Sequence, residues 1–371
     1  MKTAIVKGDS NIEIKDITKP PLGPGDILVK MQSCGICGSD VEKVFGKYGQ
    51  PSMKLGHEPA GIVTQIGTAL KNRLTNKFLN DPTNANRVRL IDDGHGIGTG
   101  IHVGDRVFAH HHVACYSNDC HECSHGNETM CKRYYESNLE PCGLADEFVV
   151  PEWNLMHGGL LRIPTNVSFE EAAMIEPLAC CIRAWSKFTH KKNDSVAILG
   201  VGPTGIMHAL LAKLYGLGKV FCLDLNEFRL DFAKKFDTIT INSGNTDALE
   251  QIKSETDDQG VDVVIVATGS LKALQDAINF VRKGGTIVMF GVPSKGAMID
   301  LDMSKIYSKE INIVNSYAAS DFDTKDALEK ISSKKINVKQ LITHRYNLDE
   351  SQKAFEHAKS GDNAMKIIIN S

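Results

Sequence analysis

The chain has 371 residues, and its 42 Lys and Arg residues against 45 Asp and Glu residues leave a formal net charge of −3. At roughly 100–200 residues per domain, this length predicts two or three domains, each with a core of its own. The near-neutral charge argues against a protein that binds nucleic acid or an anionic membrane surface. No apolar run approaches the roughly 18 residues of a membrane span, and residues 1–16 lack the apolar core of a signal peptide. We therefore expect a cytoplasmic protein without nucleic-acid or membrane partners.

Strand-like and helix-like patterns divide the chain into two kinds of region. Short apolar segments broken by Gly, Pro and Asp run through residues 1–150 and predict a β-rich, barrel-like domain. At Ser168, with Glu171 three residues later, a capping box predicts the start of a helical region. From Val196 onward, apolar runs alternate with helical stretches, which predicts βαβ units on a parallel sheet. The tail from about Val314 contains helical segments and ends in a predicted strand.

Residues 68–102 interrupt two strand-like runs and are polar and rich in Asn and Gly. We expect a surface insertion with a small hairpin of its own. The alternative is a loop that covers the substrate or contacts another subunit.

A glycine-rich turn, GVGPTG at residues 200–205, follows the apolar run VAIL and precedes a helical pattern. Asp224 ends the next apolar run, 19 residues after Gly205. The first glycine of such a turn permits the tight bend, the second lets the backbone approach a pyrophosphate, and the third lets the helix pack closely. Asp224 would bind the ribose hydroxyls and repel a 2′-phosphate, and Leu225 beside it supplies no countercharge, so we expect NAD rather than NADP. An empty crevice in the same kind of sheet is the alternative. The predicted coenzyme-binding residues are Gly200, Gly202, Pro203, Thr204, Gly205 and Asp224.

Four of the ten cysteines lie within 17 residues, in the spacing Cx4Cx2Cx7C. Four thiolates close a tetrahedral shell around zinc and leave no open position, which predicts a structural metal site. Free or disulfide-bonded thiols are the alternative. The three histidines at 110–112 cannot all face one metal, because adjacent strand residues point in alternate directions, and we interpret them as structural or near-site polar residues. The predicted ligands are Cys115, Cys120, Cys123 and Cys131.

A second set of chemically active residues begins with Cys37, three residues after Cys34, and continues with His57. A CxxC pair alone would suggest a redox site. A thiolate and an imidazole with one carboxylate, however, are typical of a catalytic zinc that keeps one position open.

Two residues compete to supply that carboxylate. Glu176 is expected in contact with the metal, directly or through a water, because Pro177 biases its backbone away from the helical region and should end the preceding helix there. Glu58 adjoins His57, so both side chains could reach one metal only through an awkward turn. We therefore expect Glu58 as an outer or alternate ligand.

Several motifs occur in order along nearly the whole chain: CGICGSD, GHEPAG, GDRVFAHHH, the four-cysteine segment, IEPLA, LGVGPTG, VATGS and LITH. On these motifs the sequence resembles the zinc-containing medium-chain alcohol dehydrogenase family, and more closely its sorbitol/polyol dehydrogenase branch.

The resemblance implies an α/β fold with a GroES-like β-barrel catalytic domain and a Rossmann coenzyme domain built on a doubly wound parallel sheet. Residues 1–177 and 316–371 would form the catalytic domain and residues 178–315 the coenzyme domain, with the active site in the cleft between them. It also implies a homodimer or homotetramer that pairs edge strands near Ile311–Val314.

The implied reaction is hydride transfer from a polyol, sugar or other secondary alcohol to NAD. Zinc on Cys37, His57 and Glu176 would act as a Lewis acid, and Ser39 would accept the alcohol proton. Glu58 would transiently bind the metal. Dehydrogenation of L-threonine or oxidation of glucose at C1 are alternatives within enzymes, and a crystallin-like protein without activity is the non-enzyme alternative.

Three features depart from the family pattern. The structural-zinc segment usually reads CxxCxxCx7C, whereas Cys115 lies two residues early, where Ser117 would otherwise be the ligand. The insertion at 68–102 replaces a much shorter turn. Relatives often have a His two residues after the Ser-Asp pair, where this chain has Glu42, which we treat as a candidate for passing the proton to solvent.

Overall fold

A computed structural model gives the fold and the side-chain contacts. Of the predicted insertion at 68–102, residues 71–99 lie outside the described part of the chain, so the hairpin expected there stays a prediction. The structure describes residues 1–8, 10–46, 54–70 and 100–371.

Two compact units divide the chain. Residues 1–179 and 319–371 form the first unit, and residues 180–318 form the second. The chain therefore leaves the first unit once and returns to it near its end.

Short strands separated by turns make up the N-terminal part of the first unit. Its longest strand, Ile27–Gly35, is buried except at Lys30 and Gln32, as expected for a central strand covered on both faces. The strands are β1 (Lys2–Gly8), β2 (Asn11–Asp16), β3 (Ile27–Gly35), β4 (Pro59–Ile66), β5 (Arg106–Ala109), β6 (Glu147–Val150) and β7 (Leu160–Arg162). The helices are α1 (Gly38–Phe45), α2 (His121–Ser124), α3 (Glu152–Met156), α4 (Phe169–Ala172) and α5 (Ile175–Ser186).

Strands and helices alternate throughout the second unit, as the sequence predicts. The strands are β8 (Val196–Leu199), β9 (Val220–Asp224), β10 (Ile239–Asn242), β11 (Val261–Val266), β12 (Val281–Met289) and β13 (Asn312–Asn315). The helices are α6 (Pro203–Leu214), α7 (Glu227–Lys234), α8 (Ala248–Glu255), α9 (Leu271–Phe280) and α10 (Met303–Ser308). The strands form a parallel sheet in the order β10-β9-β8-β11-β12-β13. The strand order reverses at β8, which is where doubly wound sheets bind ligands at the carboxyl ends of the strands.

The C-terminal segment completes the sheet of the first unit. Its elements are α11 (Asp321–Ser332), β14 (Ile342–Asn347), α12 (Ser351–Ser360) and β15 (Lys366–Asn370). Among the described residues the sheet runs β14-β15-β3-β4-β5-β7, with β6 paired to β3. Because β15 pairs antiparallel with the end of β3, opposite Gly35, the start of β15 comes close to Cys37 and the residues that follow β3.

The helical region near residue 170 begins as predicted but continues differently. Ser168 and Glu171 form the capping box of α4. The expectation that Pro177 ends a helix at Glu176 is wrong, because α5 begins at Ile175 and includes both residues. A proline is tolerated in the first helical turn, where its missing N–H would have no partner within the helix. No helix in the described ranges combines the length and apolarity needed to cross a membrane.

Candidate functional site

Cys37, His57 and Glu58 form a compact group in the first unit. Their potential ligand atoms all lie within 4.8 Å of one another. Cys37 immediately precedes α1, and His57 and Glu58 immediately precede β4. Gly56 has φ 79°, a left-handed conformation that favours glycine, and it provides the local turn that the sequence interpretation considered awkward.

Asp40 fixes the orientation of the His57 ring. The Nδ1 atom of His57 lies 3.0 Å from the Oδ2 atom of Asp40, which is fully buried on α1. The Nζ of Lys43 donates to the other carboxylate oxygen at 2.8 Å. Although burial raises the pKa of the Asp40 carboxyl, the charges of His57 and Lys43 hold it well below its usual range. With Nδ1 engaged by a carboxylate, Nε2 of His57 is the nitrogen available to a metal, an arrangement common around zinc.

Glu58 is fully buried and forms an ion pair with Lys366. The Nζ of Lys366, at the start of β15, lies 2.5 Å from the Oε2 of Glu58. Burial raises the pKa of the Glu58 carboxyl, although the charges of Lys366 and His57 oppose the shift. A buried carboxylate with a cation on one side and a thiol and an imidazole on the other is suited to a metal cation.

The compact group contains Glu58, whereas the sequence prediction placed Glu176 first. Glu176 is buried near the N-terminal end of α5 and is close enough to Glu58 to raise its pKa. It is not a member of the compact group that includes Cys37 and His57. The geometry thus favours Glu58 as the carboxylate nearer to Cys37 and His57.

The two predicted proton-transfer residues lie on α1. Ser39 is half-buried in the first turn, two residues after Cys37, and Glu42 is exposed one turn later. Residues three apart on a helix share a face, so Ser39 and Glu42 are neighbours along α1.

The four clustered cysteines come together around α2. The Sγ of Cys115 lies 3.8 Å from that of Cys123 and 3.5 Å from that of Cys131, and the Sγ atoms of Cys120 and Cys131 are 3.8 Å apart. A metal about 2.3 Å from each of four sulfurs in a tetrahedron would separate them by about 3.8 Å. The donor set and spacing therefore fit zinc. The two extra residues before Cys120 are accommodated, with Tyr116 at φ 48°.

The three consecutive histidines follow the end of β5 instead of lying on a strand, and they turn to different partners. The Nδ1 of His110 lies 3.0 Å from the Oδ1 of Asp321, which also accepts a hydrogen bond from Tyr116 at its other oxygen. The Nδ1 of His112 lies 2.9 Å from the carbonyl oxygen of Ser137. The His111 ring lies 5.0 Å, centroid to centroid, from the His57 ring. Burial and the neighbouring cations lower the pKa of His111 well below its usual range.

In the second unit, the glycine-rich turn joins β8 to α6. Gly200 has φ 89°, and a Cβ on Gly205 would collide with the carbonyl oxygen of Gly200, so both positions need glycine. Gly202 precedes α6, and Pro203 and Thr204 open the helix, where a proline is pre-organised. The N–H groups of this first helical turn are the donors that a pyrophosphate would use.

Asp224 ends β9 next to this turn. Its Oδ2 accepts a hydrogen bond from the backbone N–H of Val201 at 2.8 Å, and its Oδ1 accepts from Leu225 at 2.8 Å and from Asn226 at 3.0 Å. Leu225 supplies no countercharge, as expected, but the Nη1 of Arg229 on α7 is 3.8 Å from the Oδ2 of Asp224.

Comparisons with known proteins identify the family of the chain. Residues 203–333 match the family model described as zinc-binding dehydrogenase, and residues 23–77 and 88–162 match the alcohol dehydrogenase GroES-like domain. The sorbitol dehydrogenase of Bacillus subtilis strain 168 is 30% identical over 100% of this chain and 97% of its own length. The chain belongs to the zinc-binding medium-chain alcohol dehydrogenase family.

Two further relatives resemble the dehydrogenase over nearly its whole length. The D-xylulose reductase A of Aspergillus niger is 29% identical over 98% of this chain and 95% of its own. A Sinorhizobium meliloti 1021 protein, solved in complex with NADP, is 25% identical over 100% of this chain and 99% of its own, with a TM-score of 0.82. The predicted family, its polyol branch, the Rossmann and GroES-like fold, and a dehydrogenase that uses zinc and a nicotinamide coenzyme are thereby confirmed.

Three residues near these sites were not predicted from the sequence, namely Asp40, Lys366 and Arg229. Asp40 lies inside the CGICGSD motif but received no role, and Lys366 is the charged first residue of an otherwise apolar strand, which is a detectable signal. Arg229 carries no local signal of its own, and His111 was interpreted only as one of three structural or near-site histidines. Their importance depends on which residues the fold brings next to them.

Proposed function

We propose that the dehydrogenase oxidises a polyol or another secondary alcohol with NAD, and that Cys37, His57 and Glu58 hold its catalytic zinc. The observation that carries this proposal is the compact sulfur, nitrogen and oxygen donor set of these three residues. Similarity to a sorbitol dehydrogenase and a D-xylulose reductase supports the polyol class. Glu176 is proposed as a second carboxylate near Cys37, His57 and Glu58, which could replace Glu58 as a metal ligand or hold a water beside the metal.

Zinc bound by these residues would act as a Lewis acid on the alcohol oxygen, while the nicotinamide coenzyme would accept the hydride. Asp40 keeps the His57 ring in the orientation that presents Nε2. The hydroxyl of Ser39 is proposed to accept the alcohol proton, and Glu42, one turn further along α1, to pass it to solvent. Lys366 holds the Glu58 carboxylate in place.

NAD is the proposed coenzyme because the carboxylate of Asp224 lies beside the glycine-rich turn, where it would bind ribose hydroxyls and repel a 2′-phosphate. Arg229 weakens this preference, since its guanidinium could compensate a phosphate. Initial rates of alcohol oxidation, measured with NAD and with NADP, give the coenzyme preference. Asp224→Ser combined with Leu225→Arg should shift the preference toward NADP, and equal use of both coenzymes by the unmodified protein would contradict the proposal.

The function is tested by following coenzyme reduction with sorbitol, xylitol, 2,3-butanediol, 2-propanol, L-threonine and glucose. We expect turnover of polyols or secondary alcohols that is lost when zinc is removed and regained when zinc is restored. Preference for threonine or glucose would favour those two alternatives. A zinc-free protein inactive on every compound would favour the crystallin-like one.

The metal ligands are tested with the matched pair Glu58→Gln and Glu176→Gln. Glu58→Gln should lower zinc content and turnover together, whereas Glu176→Gln should mainly lower turnover. Glu171→Gln serves as the control, because Glu171 caps α4 and pairs with Lys334 outside the compact group. The assignment fails if Glu176→Gln loses zinc while Glu58→Gln retains it.

We also propose that the enzyme is located in the reducing cytoplasm and that it forms a homodimer or a homotetramer. The ten cysteines all lie within the described residues and none of them forms a disulfide there, which suits a reducing compartment. Within the described residues, β13 is an edge strand of the parallel sheet, so a second copy could extend that sheet. Light scattering coupled to size-exclusion chromatography gives the number of subunits.

A further inference from the structure

The middle histidine of the 110–112 run differs from its two neighbours. His110 is engaged by Asp321, and His112 by the carbonyl oxygen of Ser137. The side chain of His111 makes no hydrogen bond to any residue in the described ranges, and its Nδ1 is buried. Only this ring of the three lies against His57.

The backbone at His111 is held in place by a buried side chain. The Nδ2 of Asn154, a fully buried side chain, donates to the carbonyl oxygen of His110 at 2.7 Å and to that of His111 at 3.1 Å. The Oδ1 of Asn154 in turn accepts a hydrogen bond from Ser137 at 2.5 Å. These contacts fix the main chain from which the His111 ring extends toward His57.

An enclosed ring nitrogen without a partner, such as the Nδ1 of His111, is unfavourable, because buried polar groups normally have partners. An apolar residue would fill the same space at lower cost. The ring is half-buried and lies next to the group where the alcohol would bind. Because Nδ1 is the enclosed nitrogen, Nε2 is the one that a substrate can reach. A neutral imidazole both donates and accepts hydrogen bonds, which matches a hydroxyl.

We propose that His111 hydrogen-bonds to a second hydroxyl of the substrate, next to the carbinol that is oxidised, and thereby selects polyols over simple alcohols. This inference rests on the proposed function of the same site. Sites that hydrogen-bond a hydroxyl discriminate against analogues without it much more strongly than apolar pockets discriminate by size.

The test compares His111→Phe and His111→Asn with the unmodified enzyme on two substrates. Sorbitol carries hydroxyls beside the reacting one, and 2-butanol carries none. We expect His111→Phe to lower kcat/KM for sorbitol roughly 10- to 100-fold and to change that for 2-butanol less than about threefold. His111→Asn, which keeps a polar group, should lose less on sorbitol than His111→Phe.

Two further measurements separate substrate binding from a structural or metal-binding role. Zinc content should be unchanged in both variants, and loss of zinc would identify His111 as a metal ligand instead. The rise in thermal midpoint caused by sorbitol in the presence of NADH, where no turnover occurs, should shrink in His111→Phe. His112→Asn is the control, because this ring faces Ser137 and should affect both substrates equally.

The outcomes distinguish this inference from the proposed function. If the unmodified enzyme oxidises both alcohols and His111→Phe loses both equally, the assignment of His111 is overturned while the function stands. An enzyme that oxidises neither alcohol would overturn both.

Discussion

Replacing Lys366 by Met tests how the buried carboxylate beside the metal ligands is held. The Nζ of Lys366 lies 2.5 Å from the Oε2 of Glu58, and the two side chains are 4% and 0% exposed. Removing one partner of a buried ion pair costs about 3–5 kcal/mol, because the other charge stays buried without compensation. Methionine is unbranched and flexible like the lysine stem, so the substitution removes the charge while changing the packing little.

Lys334→Met provides the matched control in the same unit. Its Nζ lies 3.0 Å from the Oε1 of Glu171, but the lysine side chain is 51% exposed. Exposed pairs contribute only about 0–1 kcal/mol, because water already solvates both charges. We therefore expect Lys366→Met to lower the free energy of unfolding by at least about 2 kcal/mol more than Lys334→Met does.

Urea unfolding of the zinc-depleted protein measures this difference. The chain has two tryptophans, so a Trp185→Phe background leaves Trp153, in the same unit as both lysines, as the only tryptophan reporter. Zinc should restore part of the stability lost in Lys366→Met, because a cation bound beside Glu58 replaces the missing charge. Equal unfolding free energies for the two variants, or no difference in the effect of zinc, would refute the reasoning.

Three other predictions concern single contacts. Burial lowers the pKa of His208 to about 3 in the folded protein, whereas the pKa of an unperturbed histidine is 6.5. As the pH falls below 6.5, the unfolded state therefore takes up a proton before the folded state does, and the stability of the folded state decreases. Between pH 7 and pH 5 the free energy of unfolding should fall by about 2 kcal/mol because of this group. Urea unfolding at each pH should show that His208→Gln abolishes this decrease, whereas the exposed control His102→Gln retains it. Tyr116→Phe removes a 2.6 Å hydrogen bond to the buried Asp321 and should lower the free energy of unfolding by about 1.5–3 kcal/mol, as for a bond to a charged group. An unchanged midpoint of urea unfolding would contradict this. Arg229→Leu should raise the KM for NADP by roughly tenfold or more and that for NAD less, and a larger effect on NAD would show that the guanidinium does not serve a phosphate.

Features that depend on neighbouring residues could be predicted from the sequence. The alternating elements of the second unit, the capping box at Ser168 and the turn around Gly200 follow from periodicity and from the conformations that particular residues allow. The closely spaced cysteines belong to the same class, because ligands within 17 residues can meet through local turns alone.

Features that depend on distant residues required the tertiary structure. Lys366 reaches Glu58 because β15 pairs with β3, and no local pattern announces that register. Arg229 comes beside Asp224 through the packing of α7 against β9, and His111 comes beside His57 through two segments far apart in the chain. That Glu58 and not Glu176 joins Cys37 and His57 in a compact group was likewise visible only in the structure. The types of candidate ligand were therefore determined by the sequence itself, whereas the residues that contact them were decided by the tertiary structure, because each such residue is positioned by contacts between segments that are remote in the chain.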